Sequence, residues 1–467
     1  MNTLLKFLIA ATVLMALSFT LPAQNIAGAW AGKLDVHGTK INFAIHFTEE
    51  SEGWSAAFDS PDQGVFGHPF GSAEVEGDRF ICRAPDAGIV VEGRCTGDEI
   101  KGEFMQGGLR IPLNLRRSDT ASAGLQRPQN PQPPFPYSTE EVEIPGPVSG
   151  VTLAGTLTVP NAEARGSGGK GPFPAAILVS GSGPQDRDCT VMGHKPFLVL
   201  ADYLTRAGIA VLRYDDRGTA GSAGDFSAAV TSDFADDAEA VWAFLREHSA
   251  TDPDRTGVIG LSEGGIVGPM LSARRPEVAF TVMLAGPAVR GSALLPEQNE
   301  AIGRASGLAE EQLRAARRLN ELIYDYAENA ENAEAVRAGA AAFADEHAAL
   351  YADGSADQLK ALILEAATPW VHAFLRHDPQ PDLASVNGPV LALYGGKDLQ
   401  ILSGQNAPAA EAALAKSGQK FTVKVFPDCN HLFQTAETGA PAEYSRIEET
   451  MSPEVMAEIR DFIFSLR

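Results

Sequence analysis

Two hydrophobic patterns divide the chain. From about residue 25 to residue 117, apolar and polar residues alternate with a period of two, as in Lys40–Thr48 and Leu109–Arg116, and turn sequences recur at short spacing. Alternation of this kind is typical of strands with one buried face in an antiparallel sheet. It predicts a small antiparallel β domain over residues 24–117, a sheet or a barrel, with no helix in it.

The second pattern follows a segment, residues 118–138, that is rich in Pro, Gln and Asn. That composition predicts an extended linker. Beyond it, continuous apolar runs alternate with helical patterns, which is typical of a mostly parallel sheet with helices on both faces. The predicted strands are Val151–Val159, Ala175–Val179, Ala210–Tyr214, Gly257–Gly260, Phe280–Leu284, Val390–Tyr394 and Phe421–Phe426.

One region interrupts this alternation. Between about residues 288 and 385, no strand pattern is present, Ala, Glu, Leu and Arg dominate, and apolar residues such as Leu319 and Ile323 recur at helical spacing. We therefore predict a helical cap inserted between two strands. Residues 139–467 then form a single α/β domain that carries this cap.

Composition and charge exclude several functions. The chain has 467 residues, of which 44% are hydrophobic and 21% are charged, as expected for a globular protein. Its formal net charge of −23 would repel phosphate backbones and anionic lipid head groups, so we expect no nucleic-acid partner. Four cysteines are too few for a disulfide-built scaffold of this length.

The N-terminal segment predicts export. Lys6 precedes an apolar run, Phe7–Leu21, and Ala23 offers a small residue for cleavage. The run is shorter than the roughly 20 residues that a spanning helix needs, which disfavours the alternative of an uncleaved anchor. We therefore predict a signal peptide over residues 1–23 and a periplasmic or secreted protein with no membrane span after cleavage.

A candidate nucleophile lies in the sequence Gly260-Leu261-Ser262-Glu263-Gly264, between a predicted strand and a predicted helix. A tight strand-to-helix turn exposes a serine hydroxyl and presents backbone N–H groups to a developing oxyanion. This context predicts that Ser262 is a catalytic nucleophile. The alternative is a glycine-rich turn with an incidental serine.

A nucleophilic serine needs a histidine base and a carboxylate that orients the base. His431 follows the last predicted strand, where such a base is expected. Asp398 follows the preceding strand and two glycines, and it is the preferred carboxylate. Asp428 is the competitor, but it lies only three residues before His431.

The backbone N–H groups of Ser182 and Glu263 are the predicted oxyanion donors, and the side chain of Glu263 is treated as incidental. Tyr214–Gly218 is interpreted as a turn that holds the loop containing Ser182. The sequence contains no Walker loop, no H-E-x-x-H motif and no cluster of Cys and His with zinc spacing, so we predict no metal and no organic cofactor.

Five motifs occur in order over residues 143–467: SGSGPQDRD (Ser180–Asp188), YDDRG (Tyr214–Gly218), GLSEGG (Gly260–Gly265), GGKD (Gly395–Asp398) and NHLF (Asn430–Phe433). Together they resemble bacterial α/β-hydrolases of the thermophilic-esterase type, which border on the serine aminopeptidase-like group. The resemblance implies an α/β-hydrolase fold with a helical cap, a Ser262–Asp398–His431 triad and hydrolysis of carboxylic esters. The oxyanion loop departs from the usual His-Gly, having Ser180-Gly181 instead.

These patterns predict an exported serine hydrolase that acts on a small or medium ester. Two alternatives remain open: a serine aminopeptidase-like enzyme, with Glu297 or Glu300 in the cap as a site for the substrate ammonium group, and a non-catalytic binding protein with the same fold. Because all triad candidates follow residue 260, a chain that starts near Ser138 is expected to retain esterase activity.

The cysteines suggest two disulfides in an oxidising compartment. Cys82 and Cys95 flank a hairpin-like stretch, and Cys189 and Cys429 lie on two loops at the predicted active-site edge. A bridge requires Cα atoms within about 7 Å, which spacing alone does not establish. The oligomeric state is not predicted.

Overall fold

The computed structural model describes residues 26–36, 39–50, 53–60, 65–85, 87–106, 109–118, 127–161, 171–351 and 355–466. The predicted signal peptide lies outside these residues. The chain divides into two compact units, Met1–Gly124 and Leu125–Arg467. In the described part of the chain, no helix combines the length and the apolar character needed to cross a membrane.

The first unit is an antiparallel barrel, in agreement with the predicted β domain. Neighbouring strands pair in the order β2-β1-β9-β8-β7-β6-β5-β3-β4, and an additional pairing between β2 and β3 closes the sheet. Inward-facing side chains such as Trp30 and Leu113 fill its core. The strands are β1 (Gly28–Val36), β2 (Thr39–Glu50), β3 (Gly53–Ser60), β4 (Val65–Pro69), β5 (Ser72–Glu76), β6 (Arg79–Ala84), β7 (Ile89–Thr96), β8 (Glu99–Gln106) and β9 (Leu109–Arg117).

The barrel register excludes the hypothesised bridge between Cys82 and Cys95. Strands β6 and β7 are adjacent, but Cys82 lies opposite Val91, four residues from Cys95 along the strand. At about 3.3 Å per residue, this offset exceeds the Cα separation that a disulfide tolerates. All four cysteines are buried free thiols, so neither hypothesised bridge is present.

The second unit is built on a mixed sheet with the strand order β10-β11-β13-β12-β14-β15-β16-β17 in the described residues. The pairings among strands β12 to β17 are parallel, whereas β10 with β11 and β11 with β13 pair antiparallel at one edge. The predicted mostly parallel sheet is therefore only partly correct. The strands are β10 (Tyr137–Pro145), β11 (Thr152–Pro160), β12 (Phe173–Val179), β13 (Ala210–Tyr214), β14 (Thr251–Leu261), β15 (Thr281–Leu284), β16 (Val390–Gly395) and β17 (Phe421–Phe426).

Helices of the second unit follow the parallel strands, and a group of them, here called the helical insertion (Gly291–Leu383), lies between β15 and β16. The insertion has its own small apolar core. The α-helices are α1 (Pro196–Ala207), α2 (Thr231–Glu247), α3 (Gly264–Arg274), α4 (Gly291–Ala305), α5 (Glu310–Asn329), α6 (Ala333–His347), α7 (Ala356–Ala366), α8 (Pro369–Arg376), α9 (Gln380–Leu383), α10 (Ser403–Ser417) and α11 (Pro453–Ser465).

The C-terminal half of the predicted linker packs onto the second unit. The guanidinium of Arg127 donates to the carbonyl of Ile447 at 2.5 Å and to that of Met192 at 2.9 Å. The side chain of Gln129 donates to the carbonyl of Met451 and accepts the backbone N–H of Thr450. These bonds fasten residues 127–129 to the loop that precedes α11 and to the loop that precedes α1.

Candidate active site

Ser262 lies in a sharp turn between β14 and α3. Its φ of +55° is in the left-handed region, which side chains with a Cβ rarely adopt. The turn requires glycine on both sides: a Cβ on Gly260 would lie 1.9 Å from the carbonyl oxygen of Gly264, and one on Gly264 would lie 2.2 Å from that of Val179. The local sequence therefore forms a strained turn with Ser262 at its apex.

His431 and Asp398 are directly bonded. The Nδ1 atom of His431 lies 2.8 Å from Oδ2 of Asp398, and the carboxylate of Asp398 is 3% exposed. Its other oxygen, Oδ1, accepts the backbone N–H groups of Gln400 and Ile401 at 2.7 and 2.9 Å. These donors hold the carboxylate in one orientation, so that it can fix the orientation of the imidazole ring.

The competing carboxylate, Asp428, points elsewhere. It is exposed and forms an ion pair with Lys397 at 3.2 Å. The loop that carries His431 is instead shaped by Asn430, which is fully buried and whose Oδ1 accepts the backbone N–H groups of Leu432 and Gln434. Asn430 was noted in the sequence only as part of a motif, and the structure shows its supporting contacts.

The loop after β12, which contains Ser182, is fixed by an aspartate of the Tyr214–Gly218 turn. Asp216 accepts the hydroxyl of Ser180 at 2.7 Å and the backbone N–H of Gln185 at 2.9 Å, which lie on either side of Ser182 in the loop. Burial raises the pKa of Asp216 to about 7. The turn therefore holds the loop beside Ser262, as its position in the sequence suggested.

A second aspartate of the same turn extends this support. Asp215 accepts the backbone N–H of Arg187 at 2.7 Å, and its two oxygens receive the Arg187 guanidinium at 3.1 and 2.8 Å. Burial raises the pKa of Asp215, but the bonds from Arg187 outweigh this effect and hold it below its ordinary value. Arg187 and Asp215 thus form a charged pair that anchors the end of the loop.

Ser262 and His431 line one cavity of about 260 Å³ together with Ser182 and Glu263. The cavity lies between the carboxyl ends of the central strands and the helical insertion, which contributes side chains from α4 and α8. Most of its wall is apolar, which suits a hydrophobic group of a small ligand. The apolar side chains are Val191, Leu261, Pro287, Leu294, Leu295, Trp370, Phe374, Ile401 and Leu432.

The side chain of Glu263 is an interacting part of this site, contrary to its interpretation as incidental. It is 2% exposed, and its Oε1 accepts the hydroxyl of Thr231 at 2.6 Å and the indole N–H of Trp370 at 2.7 Å. Burial raises the pKa of Glu263 above its ordinary value.

The glutamates suggested as an ammonium site are engaged in ion pairs. Glu297 and Glu300 both bind the guanidinium of Arg317, each at 2.7 Å, and Glu300 also binds Arg304. Neither glutamate lines the cavity that contains Ser262. Among the described residues, no group of Asp, Glu, His or Cys side chains has an arrangement that could hold a metal ion.

The region that contains this site is similar to known proteins. A model of the family described as serine aminopeptidase, S33, matches residues 195–437. Esterase EstD of Thermotoga maritima is 28% identical over 315 residues, which cover 67% of this chain. The matched region spans 64% of the length of that esterase, which is less than two thirds.

Solved structures with some similarity include the esterase Pf2001 of Pyrococcus furiosus, with a TM-score of 0.42 and 13% identity over 71% of this chain and 93% of its own. A puromycin-hydrolyzing peptidase of Mycobacterium tuberculosis has a TM-score of 0.44 and 14% identity, over 93% of this chain and 53% of its own.

Proposed function

Because the chain belongs to the serine aminopeptidase S33 family and has an α/β-hydrolase fold, we propose that it is a serine hydrolase that cleaves carboxylic esters. One observation carries this proposal: Asp398 bonds to His431, and His431 lines the same cavity as the strained Ser262. Nucleophilic acyl transfer uses a serine, a histidine base and a carboxylate that orients the base, and these observations support that assignment.

In the proposed reaction, His431 takes the proton of the Ser262 hydroxyl, and the hydroxyl oxygen attacks the ester carbonyl. The Nδ1–H of His431 is donated to Asp398, which stabilises the imidazolium that forms. The backbone N–H groups of Ser182 and Glu263 receive the oxyanion. The alcohol leaves with a proton from His431, and a water molecule activated by His431 then hydrolyses the acyl-enzyme. No step needs a metal or an organic cofactor.

The cavity supports an ester with a compact, uncharged acyl group. Its wall is largely apolar, and the acidic side chain in it, that of Glu263, already accepts two hydrogen bonds. An aminopeptidase needs an available carboxylate for the ammonium group of the substrate. With Glu297 and Glu300 bound to Arg317, the described residues favour the ester over a free amine.

Labelling with a fluorophosphonate tests the enzyme against a non-catalytic binding protein. We expect wild type to be labelled and the variant Ser262→Ala to be unlabelled. The matched control is Ser227→Ala, which removes an exposed hydroxyl that bonds to Asp225, and it should be labelled as fast as wild type. Absence of labelling in wild type would refute the proposal.

The substrate class is tested by comparing kcat/KM on p-nitrophenyl esters and on aminoacyl p-nitroanilides with matched acyl groups. We expect the esters to be hydrolysed faster. The family description makes peptidase activity the second candidate. Faster turnover of a free-amine anilide, abolished when the amine is blocked, would establish that candidate instead.

Export is also part of the proposal, supported by Lys6 and the apolar run Phe7–Leu21. Cell fractionation followed by N-terminal sequencing should find a chain that starts near Gln24 in the periplasm or medium. A membrane-bound chain that retains residues 1–23 would contradict it.

A further inference from the structure

The inference concerns the carboxylate next to the nucleophile, and it rests on the proposed serine hydrolase function. Glu263 contributes a backbone N–H to the proposed oxyanion hole, while its side chain turns into the interior. There it joins three segments: the turn of Ser262, the start of α2 through Thr231, and α8 of the helical insertion through Trp370.

Burial of a carboxylate costs free energy, so an acidic residue is unfavourable at a position that makes only a structural contact. An acidic group removed from water is stable only when donors replace its hydration, and an apolar side chain in the same place avoids that cost. The neighbouring Asp216 adds electrostatic repulsion. Two donors from separate segments, the hydroxyl of Thr231 and the indole N–H of Trp370, compensate for the burial.

Trp370, which donates to Glu263, also forms part of the wall of the cavity that contains Ser262. Trp370 stacks on Phe374 with ring centroids 5.0 Å apart, and both side chains line the cavity. Helix α8 is held at its start by Thr368, whose hydroxyl accepts the backbone N–H of Val371. The indole N–H of Trp370 therefore bonds α8 of the helical insertion to Glu263, the residue that follows Ser262.

We propose that Glu263 is a positioning residue whose side chain couples α8 to the oxyanion hole, so that the cavity wall formed by Trp370 and the backbone N–H of Glu263 keep one relative geometry. Displacement of an oxyanion donor weakens transition-state binding more than substrate binding. Loss of the Glu263–Trp370 bond should therefore lower kcat while leaving KM nearly unchanged.

Kinetics of Trp370→Phe, Glu263→Met and the double variant test this on a p-nitrophenyl ester. Phe keeps an aromatic wall and removes only the N–H, so kcat should fall about tenfold with KM within about threefold of wild type. Glu263→Met should lower kcat further, and the double variant should be no worse than Glu263→Met alone, because the two changes remove the same bond.

The matched control is Trp242→Phe, which removes another buried indole N–H, one that donates to the carbonyl of Thr256 on β14. Its kcat should equal that of wild type. The proposal would be overturned if the kcat losses of the two single variants multiply in the double variant. It would also be overturned if KM alone changes, or if Trp242→Phe loses as much kcat as Trp370→Phe.

Hydrogen exchange separates this inference from the proposed function, because it needs no substrate. The amides of α8, Pro369–Arg376, should exchange faster in Glu263→Met and Trp370→Phe than in wild type and Trp242→Phe. Unchanged exchange would refute the coupling even if the protein is an esterase. Faster exchange would support the coupling even if wild type neither hydrolyses esters nor reacts with a fluorophosphonate.

Discussion

The Nδ1 atom of His431 lies 2.8 Å from Oδ2 of Asp398, and two backbone N–H groups bind the opposite oxygen of the same carboxylate. The carboxylate therefore has little freedom to rotate away from the imidazole. The orientation of the proposed base depends on a group that is itself held from its other side.

Replacement of this carboxylate by an amide gives the first prediction. Asp398→Asn keeps the shape of the site but no longer stabilises the imidazolium, so kcat on an activated ester should fall by about 10³–10⁴-fold. Asp428→Asn is the matched control, because Asp428 contacts Lys397 instead of His431, and its kcat should stay within about twofold of wild type. Equal losses in the two variants would contradict the assignment.

The second prediction concerns the residue at which a truncated form containing only the second unit can begin. A chain starting at Leu125 keeps Arg127 and Gln129, whose bonds hold the loop before α11, and that loop begins near Tyr444, which lines the cavity. A chain starting at Ser138, which the sequence predicts to retain esterase activity, lacks these bonds. We expect the longer form to retain wild-type kcat and the shorter form to have a lower Tm.

Calorimetry and ester hydrolysis on both truncated forms measure the difference. Arg127→Met in the full-length chain is the point-variant equivalent, and it should lower Tm because it leaves the carbonyl groups of Met192 and Ile447 without their donor. Equal Tm values for the two truncated forms would show that residues 127–129 are dispensable.

The third prediction follows from Asp216, whose pKa is raised from 3.8 to about 7 by burial. Below about pH 4 the carboxyl is protonated in the folded and unfolded chains alike. Between about pH 4 and pH 7 the folded chain keeps a proton that the unfolded chain has lost, so the free energy of unfolding decreases as pH rises. Above about pH 7 both forms are ionised and this loss is constant.

Asp216→Asn removes the titration and keeps the size of the side chain. Its free energy of unfolding, minus that of wild type, should increase between pH 4 and pH 7, by at most about 1.4 kcal/mol per pH unit, and then level off. Urea denaturation at several pH values measures this difference. A difference that is constant with pH would contradict a raised pKa at Asp216.

The fourth prediction concerns the thiols. Burial raises the pKa of Cys82 and Cys189 to about 12 and that of Cys429 to about 11, so little thiolate is present at neutral pH. An aromatic disulfide reagent should react slowly with the folded protein and with four thiols once it is unfolded without reductant. Fewer than four reactive thiols, relative to a reduced control, would indicate a disulfide.

Local patterns in the sequence predicted the elements that position the site. The glycines around Ser262 predict the turn, because no other residue fits there, and the position of Asp398 after a strand predicts its approach to His431. The direction in which neighbouring strands pair was harder to predict from the sequence. A continuous apolar run such as Thr152–Pro160 indicates a buried strand but does not distinguish parallel from antiparallel pairing.

Contacts between distant segments could not be predicted from these patterns. Glu263 and Trp370 are separated by 107 positions, and neither lies in a motif that requires the other. The bonds of Arg127 go to backbone carbonyl groups, which every residue possesses, so no side-chain pattern marks the partners. The prolines nearby predict an extended linker, whereas residues 127–130 form a turn in which the N–H of Asn130 donates to the carbonyl of Arg127.

The position of the helical insertion between β15 and β16 has a consequence for chain entropy. These strands are adjacent in the sheet, with Thr281 opposite Val390, so the whole insertion is a loop that the sheet closes. Closure entropy grows only with the logarithm of loop length, and doubling the loop costs about 0.6 kcal/mol. The sheet therefore tolerates insertions of very different length, but a replacement without an N–H donor at the position of Trp370 would leave the buried Glu263 with one donor fewer.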